Sequence, residues 1–326
     1  MLLSSRSLCP DCEMKNNAHI HVSLAHLRSL QGAAEGLSFL PRQPSASVLN
    51  GRHKSRLRGR GLNFEEMRNY LPGDDIRSID WKATARTGTP YVRVFTEERD
   101  RPALLVVDQR MSMFFGSELN MKSVTAAEAA SIAAFRILAA SDRVGGIIFN
   151  DDKQTDIVPR RSQRTVFALL ESISEMNSEL NADKVAPPSP GSLNKALASV
   201  ARIAHHDHLV VVFSDFDGVD EMTHRRLSGI AAHNDVLLVL VHDPLAEHIG
   251  PGINTVVGDG QMQAEIDLSS ASVRDAIGNV TRGRLEKIRE WQQSINLSVL
   301  PLSSGEETLP QIRKLMGQLA PRRSAR

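Results

Sequence analysis

Four oxygen-bearing side chains stand near the ends of apolar runs or the start of a helix, in types that suit a hard divalent cation. LLVVDQRMSM, residues 104–113, delivers Asp108 at the end of an apolar run and Ser112 four residues later. Further on, PGSLNKAL sets Ser192 ahead of a helical pattern, and LVVVFSDFDG leads to Asp215. Magnesium takes oxygen ligands in near-octahedral array, serine hydroxyls beside carboxylates included. In an extended chain residues 108, 110 and 112 point the same way, so the loop that aims Asp108 and Ser112 at a cation also aims Arg110 there. A guanidinium stays protonated at any relevant pH. At about 4 Å from a divalent ion and an effective dielectric of about 20, the repulsion is roughly 8 kcal/mol, comparable to a micromolar binding energy. Metal and Arg110 cannot share the pocket: either Arg110 swings out, or it pairs with Asp108 and Asp215 itself. In the plainer alternative Ser192 caps its helix and the two aspartates cap loops.

A second constellation lies upstream. GDDIRSIDW brings Asp74, Asp75, Asp80 and Arg77 close to Trp81, with Arg68, Lys82 and Arg86 nearby. One reading makes it an interaction face anchored by Trp81 and Arg77, since Trp and Arg dominate interface energetics. The favoured reading is an internal ion-pair network fastening the segment to the domain that follows, because desolvated charges are costly unless paired.

Other candidates are weaker. Cys9 and Cys12 form a CxxC that His19, His21 and His26 could complete as a zinc site, but the surrounding polar N-terminus reads as an exposed tail with incidental thiols. RHKSRLRGR, Arg52 to Arg60, sets a basic residue at every second position. No aromatic lies within it to stack bases, and with 39 basic against 38 acidic residues no global field recruits nucleic acid. His205, His206 and His208 read as a solvated loop.

The elements that must hold these residues follow from patterning. Four apolar runs end at or near Asp108, Asn150, Asp215 and Asp243. Continuous β-branched runs suit strands buried on both faces. Helical periodicity fills the intervals over 122–140, 164–176, 193–204 and 221–233. The expected fold is α/β, a mostly parallel sheet with helices on both faces, preceded by a smaller charged, partly β segment. Ligands of such sheets bind beyond the carboxyl ends of strands at a topological switch point, so Asp108 and Asp215 meet only if their strands are neighbours. Two short strands near 253–257 and 262–268, a polar helix over 273–293 and a strand-helix pair over 297–319 complete the reading. Expected boundaries are 1–50 for an N-terminal segment and linker, 51–102 for the charged segment, and 103–326 for the sheet domain with a C-terminal extension. The longest apolar runs fall far short of the ~18 residues of a spanning helix. Arg6 interrupts what would be a signal peptide's apolar stretch, so the cytoplasm is expected and membrane insertion is not.

The order D-x-S-x-S, a hydroxyl opening a helix, then an aspartate after a strand resembles the von Willebrand factor A domain and its metal-ion-dependent adhesion site. GRGLNFEEMRNYLPGDDIRSIDWKATARTGTPYVRVF, Gly59 to Phe95, resembles more specifically the signature of the bacterial domain-of-unknown-function 58 family, whose members carry that A-type fold. ERDRPALLVVD and HNDVLLVLVHDPL continue the likeness. The resemblance implies a non-enzymatic adaptor that works with a MoxR-type AAA+ ATPase in assembling or maturing a protein client. It places the adhesion-site positions at Asp108, Ser112, Ser192 and Asp215, with Arg110 where the first serine belongs. The expected mechanism is capture of an acidic group by Arg110 in a pocket shaped by those four residues, with no cofactor unless Arg110 yields to magnesium. A rival lies in FSDFDGV, which resembles the nucleophile motif of haloacid-dehalogenase-like phosphatases. Asp215 would attack phosphorus and Asp217 would serve as acid/base, with magnesium near Asp259. Against it, two strand-helix units precede a motif that normally opens its domain, Val219 replaces the usual threonine, and Gln263 stands where an acid is expected.

Overall fold

The computed structural model describes residues 18–34, 62–71, 75–97, 102–181, 191–246, 254–258, 263–267, 283, 286–295 and 297–317. Cys9 and Cys12, the Arg52–Arg60 run, Asp74 and Asp259 lie outside the described residues. Two compact units emerge, residues 43–100 and residues 1–42 together with 101–326.

In the smaller unit, β1 (Leu62–Asn69) pairs antiparallel with β2 (Tyr91–Glu97). Between them stand a 3-10 turn, Ile76–Ser78, and a short helix, Trp81–Thr87. Asp80 opens that helix by accepting from the amides of Lys82 and Ala83, the usual use of a short carboxylate at an N-cap. Gly88, at φ 74°, closes it in the left-handed region where a glycine carries no steric penalty.

The larger unit is built on a six-stranded sheet. Its strands are β3 (Ala103–Asp108), β4 (Val144–Phe149), β5 (Gln154–Arg160), β6 (Leu209–Ser214), β7 (Asp235–His242) and β10 (Ser298–Ser303). A separate antiparallel pair, β8 (Asn254–Gly258) and β9 (Gln263–Asp267), precedes β10. The sheet order is β10-β7-β6-β3-β4-β5, parallel throughout except for β5, which runs antiparallel at one edge. The mostly parallel α/β architecture expected from the apolar runs is therefore present. Strand β5 was not legible beforehand: QTDIVPR carries a proline and mixes polar with apolar residues, as edge strands do. The opposite edge strand carries Pro301, and both prolines blunt further strand addition.

Side-chain alternation splits the core into two layers. Ala103, Leu105 and Val107 of β3 face the helices Lys122–Ala139 and Gln163–Ser178. Leu104 and Val106 face the helices Ser192–Ile203 and Glu221–Ala231 and the helix over 286–295. The Lys122–Ala139 helix is buried on nearly every side, which its run of alanines permits. Part of its cover is the N-terminal segment, where Leu24–Ser29 and Gln31–Ala34 are helical and Val22, Leu27 and Ala34 are buried. Gly146 allows the Gln163–Ser178 helix to approach β4, for a Cβ there would stand 2.4 Å from Leu169 Cδ1 and 2.8 Å from the Leu105 carbonyl oxygen.

Candidate functional site

Connections after β3 run through β4 to β5 on one side and through β6 to β7 and β10 on the other. The order reverses between β3 and β6, the kind of switch point at which such sheets bind their ligands, beyond the carboxyl ends of the strands. Val107 pairs with Phe213, so Asp108 comes beside Ser214 and Asp215 follows at the next position.

Asp108 is fully buried, and both of its oxygens are engaged. Oδ1 accepts from the Arg110 amide and Nε, each at 3.0 Å. Oδ2 accepts from Arg110 Nη2 at 2.7 Å and from Ser214 Oγ at 2.6 Å. Arg110, only 3 % exposed, also donates from Nη1 to the Asp217 carbonyl at 3.2 Å. Its Nη2 lies 3.8 Å from Asp215 Oδ1, and its guanidinium carbon lies 5.8 Å from the Phe149 ring centroid. Burial disfavours the guanidinium charge, but Asp108 foremost, then Asp215 and Asp151, more than offset it and raise the pKa further. Arg110 thus takes the second of the two courses open to it, lying within the site and pairing with Asp108.

Asp215 has a cation of its own. Lys122 Nζ donates to Oδ2 at 2.6 Å, while Ser112 Oγ at 3.3 Å and the Asp217 amide at 3.0 Å donate to Oδ1. Lys122 opens the Lys122–Ala139 helix, an end where the helix dipole disfavours a positive charge. That misplaced lysine was the available signal for a residue the motif reading missed. Ser192 is buried at the start of its own helix, but its hydroxyl donates to the Asp151 carbonyl at 3.2 Å. Asp151 Oδ2 in turn accepts from the Met111 amide at 2.8 Å. Asp151 therefore ties the arginine-bearing loop to the start of the Ser192–Ile203 helix, and it too went unnoticed because these contacts run through backbone atoms, its own carbonyl and the Met111 amide.

These residues do not fit a divalent cation. Both carboxylates that would ligate it are closed by fixed cations, and Ser192 is turned to a carbonyl. Among the described residues no cluster of three or more His, Cys, Asp or Glu side chains is arranged around a common point for metal. His19, His21 and His26 have structural partners instead: Asn120, the Asn177 carbonyl with the Phe114 ring, and Glu128.

Behind the loop runs a polar relay that motif reading could not reveal. The Val22 amide donates to Asn177 Oδ1 at 2.7 Å, Asn177 Nδ2 to Gln109 Oε1 at 2.9 Å, and Gln109 Nε2 to the Ser123 carbonyl at 3.1 Å. With Met121 N donating to the His19 carbonyl at 2.9 Å, the N-terminal segment grips both ends of the 109–121 loop. On the opposite side Phe216 sits at φ 54°, a left-handed conformation that a bulky residue holds only under constraint. Its ring is 1 % exposed, and burial of that ring offsets a strain of about 1–3 kcal/mol.

Trp81 and Arg77 belong to the smaller unit. Both are exposed, Trp81 to 64 %. Asp75 and Asp80, expected partners in an ion-pair network, accept backbone amides at the starts of the 3-10 turn and the helix.

Residues 66–286 match a family described as "Protein of unknown function DUF58". Similar chains include uncharacterized protein Mb1516 of Mycobacterium bovis and uncharacterized protein Rv1480 of Mycobacterium tuberculosis. Each is 32 % identical over 219 residues, spanning 66 % of this chain and 66 % of the relative. Among the described residues no helix is long and apolar enough to cross a membrane.

Proposed function

Given that the chain belongs to the DUF58 family, we propose that it is a non-enzymatic adaptor that works with a MoxR-type AAA+ ATPase on a protein client in the cytoplasm. One observation carries this reading. At the β3–β6 switch point Arg110 pairs with Asp108 and Lys122 with Asp215, which holds the loops around them in place. Binding gains when a recognition surface is ordered in advance, because less conformational entropy is lost on association.

The sheet order, with one antiparallel edge strand and acidic residues at the ends of β3 and β6, supports kinship with the von Willebrand factor A domain. In that comparison Arg110 and Lys122 supply the charge that a metal ion would bring. The guanidinium is spent on Asp108, so an acidic group of a partner reaches it only by displacing that carboxylate. Recognition accordingly falls to the rim, where Phe115 is 36 % exposed and Asp152, Lys153 and Gly218 are exposed.

Affinity capture from native cells tests the adaptor. Wild type is expected to retain an AAA+ ATPase. Phe115→Ala, which alters only the rim, and Arg110→Glu, which adds a buried carboxylate, are expected to lose it. Failure of the wild type to retain an ATPase overturns the reading. A magnesium-dependent phosphate ester assay on wild type and Asp215→Asn addresses the enzyme alternative: activity that disappears in the variant would replace the adaptor with a phosphatase using Asp215 and Asp217.

A further inference from the structure

The described side chains of the smaller unit bury little apolar surface. Among its described side chains Val92 is the one buried hydrophobic residue, 4 % exposed. An isolated two-stranded hairpin is marginal in water and needs a third layer against it. The exposed side chains described there, in contrast, include several apolar groups. Of the eight large hydrophobics exposed among the described residues, four belong here: Met67 at 42 %, Leu71 at 59 %, Ile76 at 62 % and Trp81 at 64 %. They are carried by β1 and its end, by the 3-10 turn, and by the first position of the Trp81–Thr87 helix. Solvated apolar groups gathered in one short segment mark interaction sites.

Charge decides what kind of partner fits. Arg77, Lys82 and Arg86 are exposed and make no ion pair with another described residue. Asp75 and Asp80, the acids nearest in sequence, turn carboxylate oxygens to backbone amides. Residues 43–100 as a whole contain eleven Lys and Arg against eight Asp and Glu. The combination is an aromatic and aliphatic surface fringed by cations. Such a surface favours an apolar partner that carries carboxylates, and like charge excludes a basic one.

We propose that the turn and helix over 76–87 of the smaller unit, which expose Ile76 and Trp81, dock an acidic amphipathic segment of a partner protein, with Arg77, Lys82 and Arg86 reading its carboxylates. The proposal rests on the adaptor reading and names the chemistry of one of its partners. Trp81 is the anchor, since it offers the largest exposed apolar area and loses little side-chain entropy when covered.

The chain supplies its own probe. It has two tryptophans, and the other, Trp291, is 8 % exposed in the core. In a full-length Trp291→Phe variant, emission from Trp81 reports on this surface alone. Two synthetic helical peptides serve as ligands, one of Leu and Glu, the other with every Glu replaced by Lys. The expected result is a Trp81 signal open to acrylamide in the free chain that becomes blue-shifted and protected on titration with the Glu peptide. The Lys peptide has no such effect. Arg77→Glu with Arg86→Glu, which leaves the reporter in place, weakens the Glu peptide by roughly tenfold or more, and added salt weakens it in wild type.

Three results overturn the proposal. Trp81 protected in the free chain at high dilution shows that the chain itself covers the surface. Protection that grows with protein concentration alongside a doubled sedimentation mass assigns it to a second copy. Equal affinity for both peptides reduces it to apolar adhesion. Separate outcomes keep the two readings apart. Capture of an AAA+ ATPase by a chain that ignores the Glu peptide defeats the docking proposal alone, whereas peptide binding without ATPase capture defeats the adaptor reading.

Discussion

Arg110 converts a set of oxygen donors into a closed ion pair. Removing one member of a buried pair leaves the other uncompensated, at a cost of about 3–5 kcal/mol. Arg110→Ser is therefore expected to lose that much stability, read from its denaturant midpoint, because Asp108 keeps its burial and loses its cation. The same change removes the repulsion that bars a divalent ion. Calorimetry with magnesium and with manganese should show binding by Arg110→Ser and none by wild type, and the added metal should restore part of the lost stability by mass action. Tight metal binding by the wild-type protein would sink this view of Arg110. The residue types were legible in LLVVDQRMSM, as were the two courses open to the arginine. Which course it takes depends on Asp215, Asp217 and Phe149, which arrive from two other strands.

At the level of elements, the N-terminal segment works as a clamp on the strand-end loop. Asn177 bridges the two by accepting from Val22 N and donating to Gln109. It is fully buried, so truncating it leaves those partners unsatisfied, at about 1–3 kcal/mol for a buried group. Asn177→Ala should therefore unfold at lower denaturant. Its distinguishing mark is local: amide hydrogen exchange should quicken across 109–121 and 18–30 beyond what the global loss explains. Uniform acceleration across the sheet would show that Asn177 merely stabilises the fold. Helix Gln163–Ser178 was legible from its periodicity, yet Asn177 read as one more polar residue near its end. The N-terminal segment makes that position interior, and it lies outside the 66–286 stretch shared with the family.

For the whole molecule, stability should depend on pH through two clusters that act in opposite directions. Asp243 is buried, which opposes its charge, but the Ser117 and Ser304 hydroxyls and the Ser117 and Leu245 amides outweigh burial and hold its pKa below the ordinary carboxylate value. Its contribution is present above the unfolded value, about 4, and is lost as pH falls through the depressed folded value. His26 behaves oppositely. Its hydrogen bond to Glu128 raises its pKa in spite of burial, so its contribution is complete below about 6.5 and fades as pH rises through the raised folded value. Denaturation midpoints measured from pH 3 to 9 should fall on both sides. Asp243→Asn should flatten the acid limb, and His26→Gln the rise in exchange of residues 18–34 on the alkaline side. An unchanged acid limb in Asp243→Asn would assign acid sensitivity to other carboxylates.

The local grammar of this chain determined most of its architecture. The apolar runs ending near Asp108, Asn150, Asp215 and Asp243 are strands β3, β4, β6 and β7, and the periodic intervals after them are helices within one or two residues of their expected bounds. Burial on both faces demands such runs whatever their neighbours are. The order of the strands was not legible, nor was the antiparallel edge at β5, because pairing depends on which apolar face another element covers. The sequence likewise put Asp75, Asp80, Arg77 and Trp81 close together but could not divide them between an ion-pair network and an exposed surface. The structure shows that both acids cap the local turn and helix through backbone amides and that Arg77 and Trp81 are exposed. The same holds at the switch point, where the sequence supplied Asp108, Arg110 and Asp215, and only the adjacency of β3 and β6 brought them within reach of one another and of Lys122. Side-chain type is local information, whereas charge neutralisation inside a protein is a property of position in space.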